Sequence, residues 1–126
     1  MQAADLDVLV VDDHQAMREL LALMLAKVGV HRVRAAEDAP RALDLLRERV
    51  AHLVLADNQM PGMTGVELVA AIRDEPAFGT PRIVIISGDA GGALTKQAKA
   101  AGADAVLLKP VRPAELLSAI NMLFAV

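Results

Sequence analysis

The residues of this chain that could do chemistry stand directly after short, unbroken apolar runs. Asp12 and Asp13, Asp57, Ser87, and Lys109 with Pro110 follow the runs 8–11, 53–56, 83–86 and 105–108, in that order. The set offers three carboxylates, one hydroxyl and one ammonium group. Neighbouring carboxylates repel one another strongly unless a cation joins them. Oxygen ligands in a chain without Cys favour Mg²⁺ over zinc or copper.

The apolar runs themselves predict a parallel β-sheet. Unbroken runs of this length are typical of strands buried on both faces. Residues 31–35 alternate polar and apolar, so they predict a weaker strand at an edge of the sheet. Helical patterns lie between the runs, and the resulting (βα)5 order predicts an α/β fold with helices on both faces of a five-stranded sheet. Because sites in open α/β sheets form at the carboxyl ends of strands, we expect the polar residues to meet at one edge.

Apolar periodicity and capping residues predict five helices. The first carries Met17, Leu20, Leu21, Met24, Leu25 and Val28 on one buried face and ends at Gly29. The second begins at Asp38 and Pro40 and ends near Arg49, and the third begins with a capping box of Thr64 and Glu67. The fourth covers residues 93–101 with a thin apolar face. The fifth begins at Pro113, with Leu116, Leu117, Ile120, Leu123 and Phe124 on one face.

Composition narrows the function classes. The chain has 126 residues, which suits one domain, and a net charge of −3, which argues against nucleic-acid binding. No run approaches the ~18 apolar residues of a membrane span, and the start lacks the pattern of a signal peptide. We therefore expect a cytoplasmic protein that contacts neither nucleic acid nor membrane.

Each polar residue taken singly has an ordinary explanation. Asp12 and Asp13 could cap the following helix, and Asp57 could be a turn residue. Only the coincidence of all these residues at strand ends favours a site. The three histidines lack metal-ligand spacing and are interpreted as loop or helix-end residues; they are His14, His31 and His52.

Together these residues resemble the receiver domains of response regulators, with the stand-alone CheY-like proteins as the nearest group. The resemblance rests on Asp12-Asp13, on Asp57 within the motif DNQMPGMTG at 57–65, on Ser87 and on Lys109-Pro110. It covers essentially the whole chain. It implies the flavodoxin-like strand order 2-1-3-4-5, and a single receiver domain over residues 1–126 with no output domain.

The resemblance also implies a role for each residue. Asp57 would accept a phosphoryl group from the phosphohistidine of a sensor kinase or phosphotransfer protein. Asp12, Asp13, Asp57 and the backbone carbonyl of Gln59 would bind Mg²⁺. Lys109 would pair with the phosphoryl oxygens, and its bond to Pro110 would be cis. Ser87 would hydrogen-bond a phosphoryl oxygen. Such a protein catalyses only its own phosphotransfer and dephosphorylation.

The face that would bind a downstream protein comprises residues 93–101, 105–108 and 113–124. Val106 stands at a switch position where many family members carry Tyr or Phe, so an aromatic ring cannot transmit the signal here. Val111, Thr64 and Gly88 also depart from the common Phe, Asp and Ala. We therefore predict signal transmission through Ser87 and the loop after it. We expect a monomer, with a dimer after phosphorylation as the alternative.

Three other interpretations stay open. The chain could be a receiver module of a hybrid histidine kinase or multi-domain regulator. A phosphohydrolase with an aspartyl-phosphate intermediate would need an acid two positions after Asp57, where Gln59 stands. A flavodoxin-like flavin carrier would need stacking aromatics and a hydroxyl-rich phosphate loop, and the only aromatic residues are Phe78 and Phe124.

Overall fold

The computed structural model describes residues 2–89 and 91–125, in which five strands alternate with five helices. The strands are β1 (Asp7–Val11), β2 (Arg32–Ala36), β3 (Leu53–Asp57), β4 (Arg82–Ser87) and β5 (Ala105–Leu108). The helices are α1 (Gln15–Lys27), α2 (Ala39–Glu48), α3 (Gly65–Asp74), α4 (Gly92–Ala101) and α5 (Pro113–Phe124). Short 3-10 turns cover Ala3–Asp5 and Pro76–Phe78.

All strand pairs are parallel, and the order across the sheet is β2-β1-β3-β4-β5. This confirms the predicted doubly wound fold and its strand order. The register aligns Val11 with Ala56 and Asp57 with Ile86, so β1, β3 and β4 end at nearly the same level. The residues that follow these strands therefore share one edge of the sheet.

Alternation along β1 divides the core into two layers. Leu9 and Val11 point into a cluster with the buried residues of α2, α3 and α4, whereas Val8 and Val10 point into a cluster with α1 and α5. Every residue of β1 and of β3 is buried. Burial on both faces explains why these strands are apolar throughout.

Local signals begin and end the helices as predicted. The Asp38 carboxylate accepts a hydrogen bond from the N–H of Arg41 at the start of α2. Thr64 and Glu67 form the capping box of α3. Gly29 lies beyond the end of α1 with a φ of 90°, a backbone conformation that favours glycine.

Three burial predictions were wrong, on α1, β5 and α5. Leu20 is 45% exposed, because α1 packs on the sheet and on α5 through the narrower stripe of Leu21, Met24 and Leu25. The run 105–108 is not buried on both faces either, and Leu108 is 45% exposed. The reason is that β5 lies at the edge of the sheet and pairs only with β4.

The apolar face of α5 is also narrower than the sequence suggested. Leu116 and Ile120 are buried, whereas Leu117 is 38% exposed. Among the described residues, no helix is long and apolar enough to cross a membrane.

Candidate functional site

The backbone hydrogen bonds of the sheet continue past the strand ends and hold the site loops in place. The N–H of Asp12 donates to the carbonyl of Ala36 at 3.1 Å. The N–H of Asn58 donates to the backbone carbonyl of Ile86, and the N–H of Lys109 donates to the backbone carbonyl of Ser87. The backbone of the predicted site residues is therefore tied to neighbouring strands at one edge of the sheet.

Asp57 lies at the centre of this edge and is only 2% exposed. Its Oδ1 atom lies 3.1 Å from Nζ of Lys109 and accepts a hydrogen bond from the N–H of Gln59. Its Oδ2 atom is buried and has no hydrogen-bond partner among the described residues. Such an oxygen is rare in a folded protein because leaving it unpaired is costly. It is therefore available to a group that the chain does not supply.

The neighbouring acidic residues extend this site. Asp12 is 1% exposed, and its Oδ1 atom accepts the N–H of His14 at 2.8 Å. The Oδ1 atom of Asp13 is buried and, like the Oδ2 atom of Asp57, lacks a hydrogen-bond partner in the described part of the chain. Arg18 donates to the carbonyl of Asp12 and thereby fixes the loop between β1 and α1.

Burial separates this site from the rest of the polar residues. Four polar or charged residues are buried among those described, and Asp12, Asp57 and Ser87 are three of them. The fourth, Asp7, lies at the opposite end of β1, and both of its carboxylate oxygens pair with arginines. Unpaired carboxylate oxygens therefore concentrate at the carboxyl edge of the sheet.

The donor set fits a divalent cation. One ligand atom each from Asp12, Asp13, His14 and Asp57 lies within 4.8 Å of the others. An octahedral ion with ligands at about 2.1 Å holds adjacent ligand atoms about 3 Å apart and opposite ones about 4.2 Å apart. The cluster therefore needs only a small contraction to hold an ion.

Ser87 connects the site to the loop that precedes α4. It is 1% exposed, and its Oγ atom accepts the N–H of Asp89 at 3.0 Å. The carboxylate of Asp89 in turn accepts the N–H of Gly91 at 2.8 Å. Ala90, within the loop to which the sequence assigned signal transmission, lies outside the described residues.

The remaining predicted residues occupy different surroundings. The side chain of Lys109 is 29% exposed, and its peptide bond to Pro110 is cis. Gln59 is exposed and contacts Asp57 through its backbone N–H. Val106 lies on β5, partly buried against the core cluster that contains α4.

Sequence reasoning missed His14. It is the residue before α1, as the helix-end interpretation requires, but its Nδ1 atom lies 3.3 Å from Asp12 Oδ1 and 3.2 Å from Asp13 Oδ1. Its position directly after two site carboxylates was the available signal. His31 is exposed on the surface, and His52 accepts the N–H of Asp7 at the opposite end of the sheet.

The fold and these distances define a doubly wound α/β protein with a cation-attracting carboxylate site beside a lysine. Comparisons with known proteins then identify its family. The family model of the response regulator receiver domain matches residues 8–121. The chain is 31% identical over 122 residues to the probable chemotaxis protein CheY of Rhizobium etli, covering 97% of this chain and 95% of that protein. The structure of chemotaxis protein CheY4 of Vibrio cholerae matches with a TM-score of 0.87 at 28% identity, covering 94% of this chain and 98% of that one.

A second relative belongs to a much longer protein. The chain is 37% identical over 115 residues to the sensory/regulatory protein RpfC of Xanthomonas campestris, which is 89% of this chain but only 16% of that protein. With the family model matching most of its length, this chain belongs to the response regulator receiver domain family. It is a CheY-like receiver domain, a phosphorylation-dependent switch of two-component signalling.

Proposed function

We propose that Asp57 is the phosphoacceptor of this switch. The observation that carries the proposal is its Oδ2 atom, which is buried, lacks a hydrogen-bond partner in the described chain and belongs to a carboxylate that Lys109 contacts at 3.1 Å. That oxygen forms the new bond to phosphorus while the phosphorus–nitrogen bond of a donor phosphohistidine breaks. The released imidazole nitrogen keeps its electron pair and takes a proton from solvent.

The neighbouring groups position and neutralise this transfer. Asp12, Asp13, Asp57 and the carbonyl of Gln59 would hold Mg²⁺, which offsets the negative charge that phosphoryl transfer brings together. Lys109 supplies a fixed positive charge, since its Nζ atom already lies beside Asp57. Orientation of the reacting groups supplies most of the remaining rate acceleration. In this proposal the protein catalyses only its own phosphotransfer and dephosphorylation.

The proposed partners are a sensor histidine kinase or phosphotransfer protein upstream and a protein target downstream, in the cytoplasm. The downstream face comprises α4, β5 and α5. A groove of about 440 Å³ lies between β5 and α5, and Met122 on its border is 74% exposed. Exposed apolar side chains beside a groove support protein docking at this face.

A receiver module within a larger regulator is the second candidate. It is favoured by the match to RpfC, of which the chain spans only 16%. In that arrangement, Asp57 would receive the phosphoryl group from another part of the same protein. The coding sequence before residue 1 and after residue 126 distinguishes the two candidates, because only a module would continue into further domains.

Phosphotransfer from purified histidine kinases tests the proposed function. Kinases autophosphorylated with labelled ATP are mixed with this chain for short times, with Mg²⁺ or with a chelator. We expect at least one kinase or phosphotransfer protein of the source organism to lose its label to the chain rapidly, and only with Mg²⁺. The absence of transfer from every such donor, together with no labelling by acetyl phosphate, would refute the proposal.

Signal transmission through Ser87 gives a separate expected result. The Ser87 hydroxyl holds the loop before α4 through Asp89, so its movement toward a phosphoryl group shifts that loop. Val106 is β-branched and has few rotamers to exchange. Addition of Mg²⁺ and beryllofluoride, a phosphoryl mimic, should therefore change NMR shifts outside the site mainly between residues 88 and 101.

Two alanine variants distinguish the routes. Ser87→Ala should shrink these shift changes, and Val106→Ala should leave most of them in place. A response that survives Ser87→Ala but collapses in Val106→Ala would place the signal route in β5 instead.

A further inference from the structure

The imidazole of His14 lies at the edge of the acidic site, beside two carboxylate oxygens. Its Nδ1 atom lies 3.3 Å from Asp12 Oδ1 and 3.2 Å from Asp13 Oδ1. The contact with Asp13 is not a hydrogen bond, because Asp13 Oδ1 is buried without any hydrogen-bond partner in the described chain. The contact with Asp12 is a hydrogen bond when Nδ1 carries the ring proton. When the proton is on Nε2, the lone pair of Nδ1 faces two carboxylate oxygens, and this arrangement favours a positive charge between the three atoms.

The spacing suits a metal ion as that positive charge. Separations of 3.2 and 3.3 Å are close to the distance of about 3 Å between adjacent ligands of an octahedral ion. The side chain of His14 is 70% exposed, so packing does not oppose the small rotation that binding requires. A second, independent feature points to the same place: Asp57, which belongs to the same cluster, has a buried Oδ2 atom without a hydrogen-bond partner in the described chain.

The type of ligand atom then decides which ion gains affinity from the imidazole of His14. Mg²⁺ binds oxygen and keeps several of its waters, so an imidazole adds little to its affinity. Imidazole nitrogen suits later first-row metals, whose affinity for mixed nitrogen and oxygen sites rises from Mn²⁺ to Cu²⁺. A histidine among three carboxylates therefore changes the selectivity of the site more than its affinity for Mg²⁺.

We propose that His14 is a direct ligand, through Nδ1, for a first-row transition cation such as Co²⁺ or Ni²⁺ held with Asp12, Asp13 and Asp57. The site then takes either Mg²⁺, on oxygen ligands alone, or a transition cation, with the nitrogen ligand added. The proposal rests on the metal-binding role of these carboxylates in the proposed function. It adds transition cations to the ions that these carboxylates bind.

Calorimetric titration of the whole chain with CoCl₂, NiCl₂ and MgCl₂ tests this selectivity. The variant is His14→Phe, which keeps a planar ring and removes both nitrogens. Loss of an outer-shell partner costs a metal site about 10- to 100-fold in affinity, so loss of a direct ligand should weaken Co²⁺ and Ni²⁺ binding at least tenfold. Mg²⁺ affinity should change less than about threefold, since oxygen ligands dominate its binding.

Proton NMR of the Co²⁺ form gives a readout that does not depend on activity. A coordinated imidazole shows strongly shifted ring signals, including one N–H signal that disappears in D₂O. We expect these signals in the wild type and in His31→Phe, a matched change of an exposed histidine outside the site. They should be absent from His14→Phe. If that variant does not fold, His14→Asn replaces it, because Asn is well tolerated before a helix.

The outcomes separate this proposal from the proposed function. Equal Co²⁺ and Ni²⁺ affinity in the wild type and in the His14 variant, or shifted imidazole signals that persist in the variant, would overturn the role of His14 and leave Mg²⁺ binding intact. Absence of Mg²⁺ binding with histidine-dependent Co²⁺ binding would support His14 and contradict the assigned Mg²⁺. Loss of transition-metal affinity in His31→Phe alone would also overturn the proposal.

Discussion

Replacing Asp57 by Asn is expected to abolish phosphorylation of this chain by acetyl phosphate and by a phosphorylated kinase. Asn keeps the size and shape of the side chain, so the buried position stays filled. It removes the anionic oxygen that must form the bond to phosphorus. An amide nitrogen next to Lys109 offers neither that charge nor a free electron pair. The expected result is the loss of all detectable label rather than a slower rate.

Intact-protein mass spectrometry after incubation with acetyl phosphate and Mg²⁺ measures this effect. The wild type should gain one phosphoryl group that survives acid and is lost in base, as an acyl phosphate requires. Asp44→Asn is the matched control, because Asp44 is an exposed carboxylate on α2 whose side chain is 61% exposed. It should be labelled like the wild type. Full labelling of Asp57→Asn would show that another residue is the acceptor.

Much of this site could be predicted because each part of it follows a strand that is recognisable by itself. The runs 53–56 and 83–86 are apolar on every residue, and the structure buries both completely. Once the strands are parallel, the residues after them share an edge. The position of Asp57 relative to Asp12 is therefore a consequence of fold topology rather than of any local motif.

Features that depend on an element's neighbours could not be predicted in the same way. The run 105–108 is as apolar as the others, yet β5 has only one neighbouring strand and leaves Leu108 45% exposed. Position in the sheet is not encoded in the composition of a four-residue run. The contact of His14 with Asp12 and Asp13 could not be predicted either, because it depends on the path of the chain between β1 and α1.

Replacing Gly65 by Ala is expected to lower the free energy of unfolding by about 1–3 kcal/mol, the usual cost of overpacking a well-packed core. Gly65 is buried at the start of α3, and its N–H donates to the carbonyl of Asn58 at 3.0 Å. A Cβ atom there would lie 2.8 Å from the carbonyl oxygen of Asp57 and 2.9 Å from Cα of Asn58. Both are backbone atoms, so no side chain can rotate away.

The control is Gly88→Ala, a change of the same size in the loop beyond Ser87. A Cβ atom at Gly88 would meet nothing within 4 Å, and its φ is not positive. Gly to Ala at a compatible position stabilises a protein by about 0.4–1 kcal/mol through the unfolded chain. Urea unfolding of the two variants should therefore give changes of opposite sign.

The Gly65 variant should also phosphorylate more slowly, and this is the part of the expectation that concerns function. Relief of the contact requires α3 to move away from the end of β3, or the end of β3 to move, and Asp57 is its last residue. A displacement of a few tenths of an ångström there changes the distance from Asp57 to Lys109, on which orientation for transfer depends. The labelling rate with acetyl phosphate, measured under conditions where the variant is fully folded, checks this. An unchanged rate together with the predicted loss of stability would show that α3 alone moves and that β3 holds Asp57 in place.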